Sequence, residues 1–496
     1  MTTSSTYETS EAAVSDRLRA SLVDQRAYNV RYRQKQLHLL HAALREHASI
    51  IPDLIANDSG HNHDDSELEF CATLVTINTL YEQLDFDRTL EQEYAVSRNQ
   101  SNSSCRIPHG IVLIRPGTHN IFFSILSAVA AALAAGNCII LEIDTNATSL
   151  GSFLKSEFSV LDQETFAILP SVTNPDLLSQ CFIVDQRVSV GFKSTASHLG
   201  SDTPQFVSAI VDRTAHVPRA AQEICAALYL FNAEALYAPD IVHVNEWVLE
   251  SFVEACITEL GGDADAISIA RKLLPAAGAS FRLGAHTTIF EIDGFKIVYD
   301  GSGMRSRKFP NRTLYINSVT GLADAITKTS NSRPFLASYF FGDLKTCKFL
   351  HQYIDSRTSF VNEIPLSVLV GPPRPATALS PGDINLPYNL EFMSKPKPAF
   401  VTPKSTPASF LANSRKYGPK AQRDHDSTQR VQIRQAAAMP LNAINQHSGS
   451  GSGFFDQGIL TGLIAFVLPS VIFMSWAGFK ATKFAWDHSQ ALGRFM

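Results

Sequence analysis

Cysteine is sparse and scattered in this sequence: 7 in 496 residues (Cys71, Cys105, Cys138, Cys181, Cys225, Cys256 and Cys347), no two of them in a C-x-x-C pair. That excludes a zinc knuckle or a disulfide framework and fits a reduced, cytosol-facing environment. Charge of one sign is not in excess. Lys+Arg 42 against Asp+Glu 47 leaves a net charge of -5, so composition gives no electrostatic case for nucleic-acid binding. No Gly-x-Ser-x-Gly elbow and no P-loop occurs. The opening residues, MTTSSTYETSEAAVSD, have neither an apolar run nor an Arg-rich amphipathic pattern. A disordered tail over 1–15 is expected there rather than a leader, and the Asn57-Asp58-Ser59 sequon is then coincidental.

What is present is a globular composition, hydrophobic at 45%, long enough for roughly two to four domains of about 150 residues. One run stands apart. Residues 457–479 read QGILTGLIAFVLPSVIFMSWAGF, uncharged between Asp456 and Lys480 and long enough to cross a roughly 30 Å hydrocarbon layer as a helix. Trp476 suits an interfacial position, and Pro469 is tolerated in membrane helices. A transmembrane helix is expected, with a short tail over 480–496 and the body in the cytosol. Lys480 and Lys483 pull the other way, favouring a cytosolic C-terminus. Endoplasmic reticulum, peroxisome and mitochondrial outer membrane are not distinguished. The preceding 400–456 reads as a flexible linker, with Pro403, Pro407, Pro419 and Pro440 and the tract SGSGSG at 448–453. Its Arg415, Lys416, Lys420, Arg423, Arg430 and Arg434 suit either anionic lipid headgroups or a solvated tether.

The body alternates helical and strand patterns. Helical spacing runs through 16–55 and 65–84. The run Ile111-Val112-Leu113-Ile114 is a strand, 122–135 a helix ended by Gly136-Asn137, and Cys138-Ile139-Ile140-Leu141 a second strand. Strand, helix and strand in so short a stretch make a βαβ unit and hence a parallel sheet. Further on, 217–232 reads as a helix, 241–244 as a strand, and Asn245 as the cap of a helix over 246–260. Asp293-Gly294 between apolar runs signals a hairpin. Strands are expected at 313–317 and 337–341, and helices at 322–328 and 344–355.

At 106–123 the chain reads RIPHGIVLIRPGTHNIFF and continues into Ala134-Ala135-Gly136-Asn137. This resembles the aldehyde dehydrogenase superfamily, most closely its class 3 and fatty-aldehyde branch, whose signature is P-x-G-V-V-x-x-I-x-x-W-N-Y-P-F followed by A-A-G-N. Arg333-Pro334-Phe335-Leu336-Ala337-Ser338-Tyr339 is similar to that branch's K-P-L-A-L-Y strand. The resemblance implies an α/β fold with a Rossmann-type cofactor domain over 16–205 and an α/β catalytic-type domain over 206–365. A return and oligomerisation segment over 366–399 would follow, pairing the chain as a homodimer.

The family's chemistry needs a thiolate nucleophile, an oxyanion-binding amide, a nicotinamide hydride acceptor and a glutamate base. The resemblance puts Asn120 at the oxyanion amide, though an Asn after Gly-Thr-His can also serve a turn. The G-Q-x-C setting corresponds to 231–240, which places Leu236 where the sulfur should be. Cys225, about three helical turns upstream, reads as a packed core thiol. Counting back from Ala209-Ile210-Val211-Asp212 puts Asp202 at the general base, a carboxylate on a shorter arm or simply a solvated loop acid. Three cofactor contacts depart from the pattern. Glu142 stands at the L-K-P lysine; Val184 to Gly191 replaces the F-T-G-S-x-x-V-G turn, keeping only Val190-Gly191; Lys308 stands at the second glutamate of E-E-I-F-G-P. No dinucleotide is then expected in the family manner, with NAD or NADP required only if the chain is an active oxidoreductase on a lipid-like or specialised aldehyde.

Two other clusters are weaker. Gly60-His61-Asn62-His63-Asp64-Asp65 has metal-binding residue types but lies between helices, where such residues are ordinarily solvated, and no zinc site is expected. Gly301-Ser302-Gly303 with Arg305, Arg307 and Lys308 reads as a basic surface loop more than an anion cradle.

Overall fold

A computed structural model describes residues 11–95, 97–98, 100, 105–146, 148–187, 195, 197–200, 206–274, 286–300, 312–330, 334–373, 375, 386–397, 431, 434–435, 437–441 and 454–492. The chain divides into two compact units, Met1–Thr402 and Pro403–Met496. The cofactor-type and catalytic-type regions expected as separate domains thus fall in one unit.

Helices open that unit: α1 (Glu11–Val23), α2 (Val30–Glu46), α3 (Ile51–Ser59), α4 (His63–Glu82) and α5 (Phe86–Tyr94). The expected tail is shorter than 1–15, because Val14 and Leu18 of α1 bury against the first sheet and draw the chain into a helix from Glu11. In α2 the Asn29 side chain accepts from Arg31 N at 2.8 Å, and Leu37, Leu40 and Leu44 recur on one buried face.

After an outlying strand, β1 (Arg106–Pro108), comes the expected βαβ unit: β2 (Ile111–Arg115), α6 (Ile121–Ala135) and β3 (Cys138–Glu142). Then follow α7 (Ser149–Glu157), β4 (Phe166–Leu169), α8 (Pro175–Gln180), β5 (Cys181–Asp185) and β6 (His198–Gly200). The strands form a parallel sheet in the order β4-β3-β2-β5-β6. Both faces are covered, so β2 and β3 are apolar on both sides and read as runs rather than alternations. Helix α6 is buried along nearly its whole length. It ends at Gly136, φ +86°, where an added Cβ would stand 2.7 Å from the Ala27 carbonyl oxygen, so both the backbone and the space require glycine.

The second sheet is built from β7 (Val207–Val211), α9 (Val217–Tyr229), β8 (Ile241–Asn245), α10 (Leu249–Glu259), α11 (Ala264–Leu273), β9 (His286–Ile292) and β10 (Phe295–Asp300). It continues through β11 (Thr313–Val319), α12 (Leu322–Thr329), β12 (Ala337–Phe341), α13 (Leu344–Tyr353) and β13 (Ser359–Val361), after which α14 (Leu366–Val370) returns toward the first sheet's helices. The order is β13-β12-β7-β8-β11-β10-β9, parallel except for the hairpin β9–β10. Asp293 and Gly294 turn that hairpin with φ of +47° and +81°, as the dipeptide signalled. The last strand, β14 (Ser394–Pro396), pairs antiparallel with β1.

Two local expectations differ. Asn245 does not cap α10; it still pairs in β8, and its side chain instead accepts from Trp247 N at 3.1 Å, turning the chain before α10 starts at Leu249. Helix α9 stops at Tyr229, not 232, because Phe231 and Asn232 are left-handed.

In the second unit Phe454–Gly462 and Leu468–Leu492 are α-helical, joined by a π turn at Leu463–Val467. Pro469 has no N–H to give and its ring crowds the carbonyl four residues back, and a π turn just before it relieves that clash. Over Asp456–Lys483 the 28 residues are long and apolar enough to cross a membrane, and none is buried within the protein.

Candidate functional site

The loop over 231–240, expected from the resemblance to correspond to the nucleophile setting, is held under strain. Phe231 and Asn232 take φ of +54° and +55°, a conformation costing about 1–2 kcal/mol per non-glycine residue. Three contacts hold them. The Asp65 carboxylate accepts from Phe231 N at 3.0 Å, Asn232 Nδ2 donates to the Gly60 carbonyl at 3.1 Å, and Arg312 donates to Asn232 Oδ1 at 3.2 Å. The rings of His61 and His119 lie 5.7 and 6.0 Å from that of Phe231. The Gly60–Asp65 stretch is only in part the solvated connection its composition suggests: Gly60, Asn62, His63 and Asp64 are exposed, whereas His61 is 7% and Asp65 2% exposed. Burial pushes the Asp65 carboxyl up and the His61 imidazole down. His63 points elsewhere, 3.5 Å from Asp53 and well exposed. Among the described residues no three His, Cys, Asp or Glu side chains converge to hold a metal.

Beyond the turn, Leu236 is half-buried against a core that includes Phe123, Phe231, Tyr237 and Leu369. Asn120, φ +43°, precedes α6 and is buried; its Nδ2 donates to the Val370 carbonyl at 3.0 Å. His119 Nε2 lies 3.3 Å from the Leu369 carbonyl. Both side chains thus reach across to α14, where one of the two Nδ2 hydrogens of Asn120 is engaged. Cys225 is buried in α9 as a core thiol.

A residue that sequence reasoning passed over sits beside them. Glu69 of α4 is 0% exposed, and its Oε1 accepts from Phe123 N at 3.0 Å in the first turn of α6. Burial outweighs the backbone donors of Phe123 and Phe122 and lifts its carboxyl to about 7. The available signal was helical phase: Glu69 falls on the buried side of α4 with Ser66, Phe70, Thr73, Ile77 and Leu80.

At the carboxyl edge of the first sheet, Arg115, Glu142 and Asp185 end three neighbouring strands. Arg115 Nε is 3.1 Å from Glu142, Arg187 is 3.8 Å from the same carboxylate, and Arg187 is 2.8 Å from Asp185. Burial pulls Asp185 upward, yet hydrogen bonds from Arg187 hold it below the usual carboxylate range. Asp202, Gly191 and Lys308 lie outside the described residues, as does the basic loop over 301–311.

The resemblance implies a nicotinamide dinucleotide, and open α/β sheets hold such ligands at the carboxyl ends of their strands. Its pyrophosphate is anionic. Here Arg115 already pairs with Glu142 and Arg187 with Glu142 and Asp185, and the Phe123 amide in the first turn of α6 is taken by Glu69. The described residues do not fit the group.

The sequence model of the aldehyde dehydrogenase family matches residues 2–164. No curated protein matches the chain. Among solved structures, the chain is similar to substrate-bound Staphylococcus aureus AldH, at 15% identity and TM-score 0.57, covering 84% of this chain and 98% of that one. A variant of Thermus thermophilus 1-pyrroline-5-carboxylate dehydrogenase gives 13% identity and TM-score 0.60 over 79% of this chain and 85% of that one. An NAD-dependent benzaldehyde dehydrogenase from Corynebacterium glutamicum gives 14% and 0.53 over 72% and 87%. Residues 2–164 thus match the aldehyde dehydrogenase family model, and the body shares the fold of the aldehyde dehydrogenase structures it resembles, with no branch indicated.

Proposed function

We propose that this chain is a membrane-tethered aldehyde-dehydrogenase-like protein that does not carry out NAD-dependent aldehyde oxidation and acts as a binding or scaffolding subunit. The reading is carried by Leu236 at the position the family gives to its thiolate. A leucine side chain has no lone pair and no ionisable proton, so no thiohemiacetal forms there. The engagement of Asn120 Nδ2 by Val370 and the carboxylates at the first sheet's edge support the same reading. Under it the apolar helix Asp456–Lys483 is the tether, the body faces the cytosol, and two copies pair as a homodimer.

The test is turnover by the full chain in detergent micelles, offered short, long-chain and aromatic aldehydes with NAD or NADP. No aldehyde-dependent reduced cofactor is expected. Formation of reduced cofactor that rises with enzyme and saturates with aldehyde would establish the alternative, an active oxidoreductase with a divergent mechanism.

A further inference from the structure

We infer that the crevice at the switch point of the first sheet is closed by the chain itself, so that no dinucleotide enters it and none is needed to hold it together. This deepens the reading above and shares with it only the expectation of no cofactor. In the order β4-β3-β2-β5-β6, successive connections leave β2 in opposite directions. The loops after β2 and β5 therefore diverge, and in open α/β sheets that divergence leaves the ligand crevice. Here Gln186 zips them. Its N–H donates to the Arg115 carbonyl at 2.9 Å, carrying the β2–β5 pairing past the strand ends. Its Oε1 accepts from Gly117 N at 3.1 Å, and its Nε2 donates to the Ser124 carbonyl at 2.7 Å in the first turn of α6. The residue is 2% exposed. A Cβ on Gly117 would stand 3.1 Å from the Gln186 carbonyl oxygen, so the described residues just past β2 and β5 are in close contact at this point. A phosphate would need the free amides at the start of α6, and Glu69 already occupies the one on Phe123. On the other side of the strand ends, Arg115, Glu142, Arg187 and Asp185 balance two positive against two negative charges.

The experiment uses the full chain in detergent, with NAD, NADP and inorganic pyrophosphate titrated to millimolar concentration while thermal unfolding is followed. The wild type, Gln186→Ala and Glu142→Gln are compared. The expected result is no saturable shift for the wild type, and a lower Tm for both variants without any ligand, the Glu142→Gln deficit shrinking as salt rises. A saturable stabilisation of the wild type that either variant weakens would overturn the inference, because the crevice would then be a binding site. A wild-type shift that neither variant alters puts the ligand elsewhere and leaves the crevice closed. Dinucleotide binding in the crevice without aldehyde oxidation would refute this inference alone; oxidation by a chain whose Gln186 and Glu142 variants turn over unchanged would refute only the loss of catalysis.

Discussion

Glu69 gives a prediction whose size and sign follow from where it sits. Its carboxyl is raised from 4.5 to about 7 by burial beneath α6. Between those values the folded protein keeps a proton that the unfolded chain has released. Stability from this group is therefore complete below about pH 4.5, falls as pH rises through the window, and levels off above about 7. At about 1.4 kcal/mol per pH unit, the whole window is worth about 3 kcal/mol. Glu69→Gln keeps an oxygen for the Phe123 N–H and cannot ionise. The variant should match the wild type near pH 5 and exceed it near pH 8 by about 2–3 kcal/mol. Thermal unfolding of both proteins across this range is the assay, read as the difference between them so that other titrating groups cancel. A variant less stable than the wild type at pH 8, or a difference that does not change with pH, would refute the reasoning.

Asp65→Ala should destabilise the body by about 1–3 kcal/mol, because the buried Phe231 N–H loses its acceptor; an unchanged denaturation midpoint would show that the strained turn holds itself. Native alkylation followed by peptide mapping should label Cys71 and Cys105 quickly and Cys225 only on unfolding, whereas rapid labelling of Cys225 would reveal an access route to the core. Truncation after Thr402 should release the body from membranes, and a truncated protein that still pellets would move the tether into the first unit.

Much of the scaffold was legible because its signals are local. The strand, helix and strand from Ile111 to Leu141 carry their own burial pattern and end at a glycine whose φ demands it, and Asp293-Gly294 specifies its hairpin. The site was less legible because its contacts are distant in sequence. Asp65 and His61 look solvated until Phe231, 166 residues from Asp65, is brought against them. Glu142 and Asp185 read as separate departures from a family pattern; adjacent parallel strands turn them into one network with Arg115 and Arg187. Asn245 was misplaced for a related reason, since pairing with β11 keeps it in a strand where local chemistry favours a cap.

The claim that no thiol meets a substrate carbonyl is tested most directly by a single-turnover experiment. The full chain, at concentrations comparable to the cofactor, is mixed rapidly with aldehyde and NAD or NADP, and reduced cofactor is followed from the first milliseconds. If Leu236 takes the nucleophile's place, as proposed, a flat trace is expected, even where slow release would hide steady-state turnover. A burst whose amplitude scales with protein and disappears after thiol alkylation would contradict it.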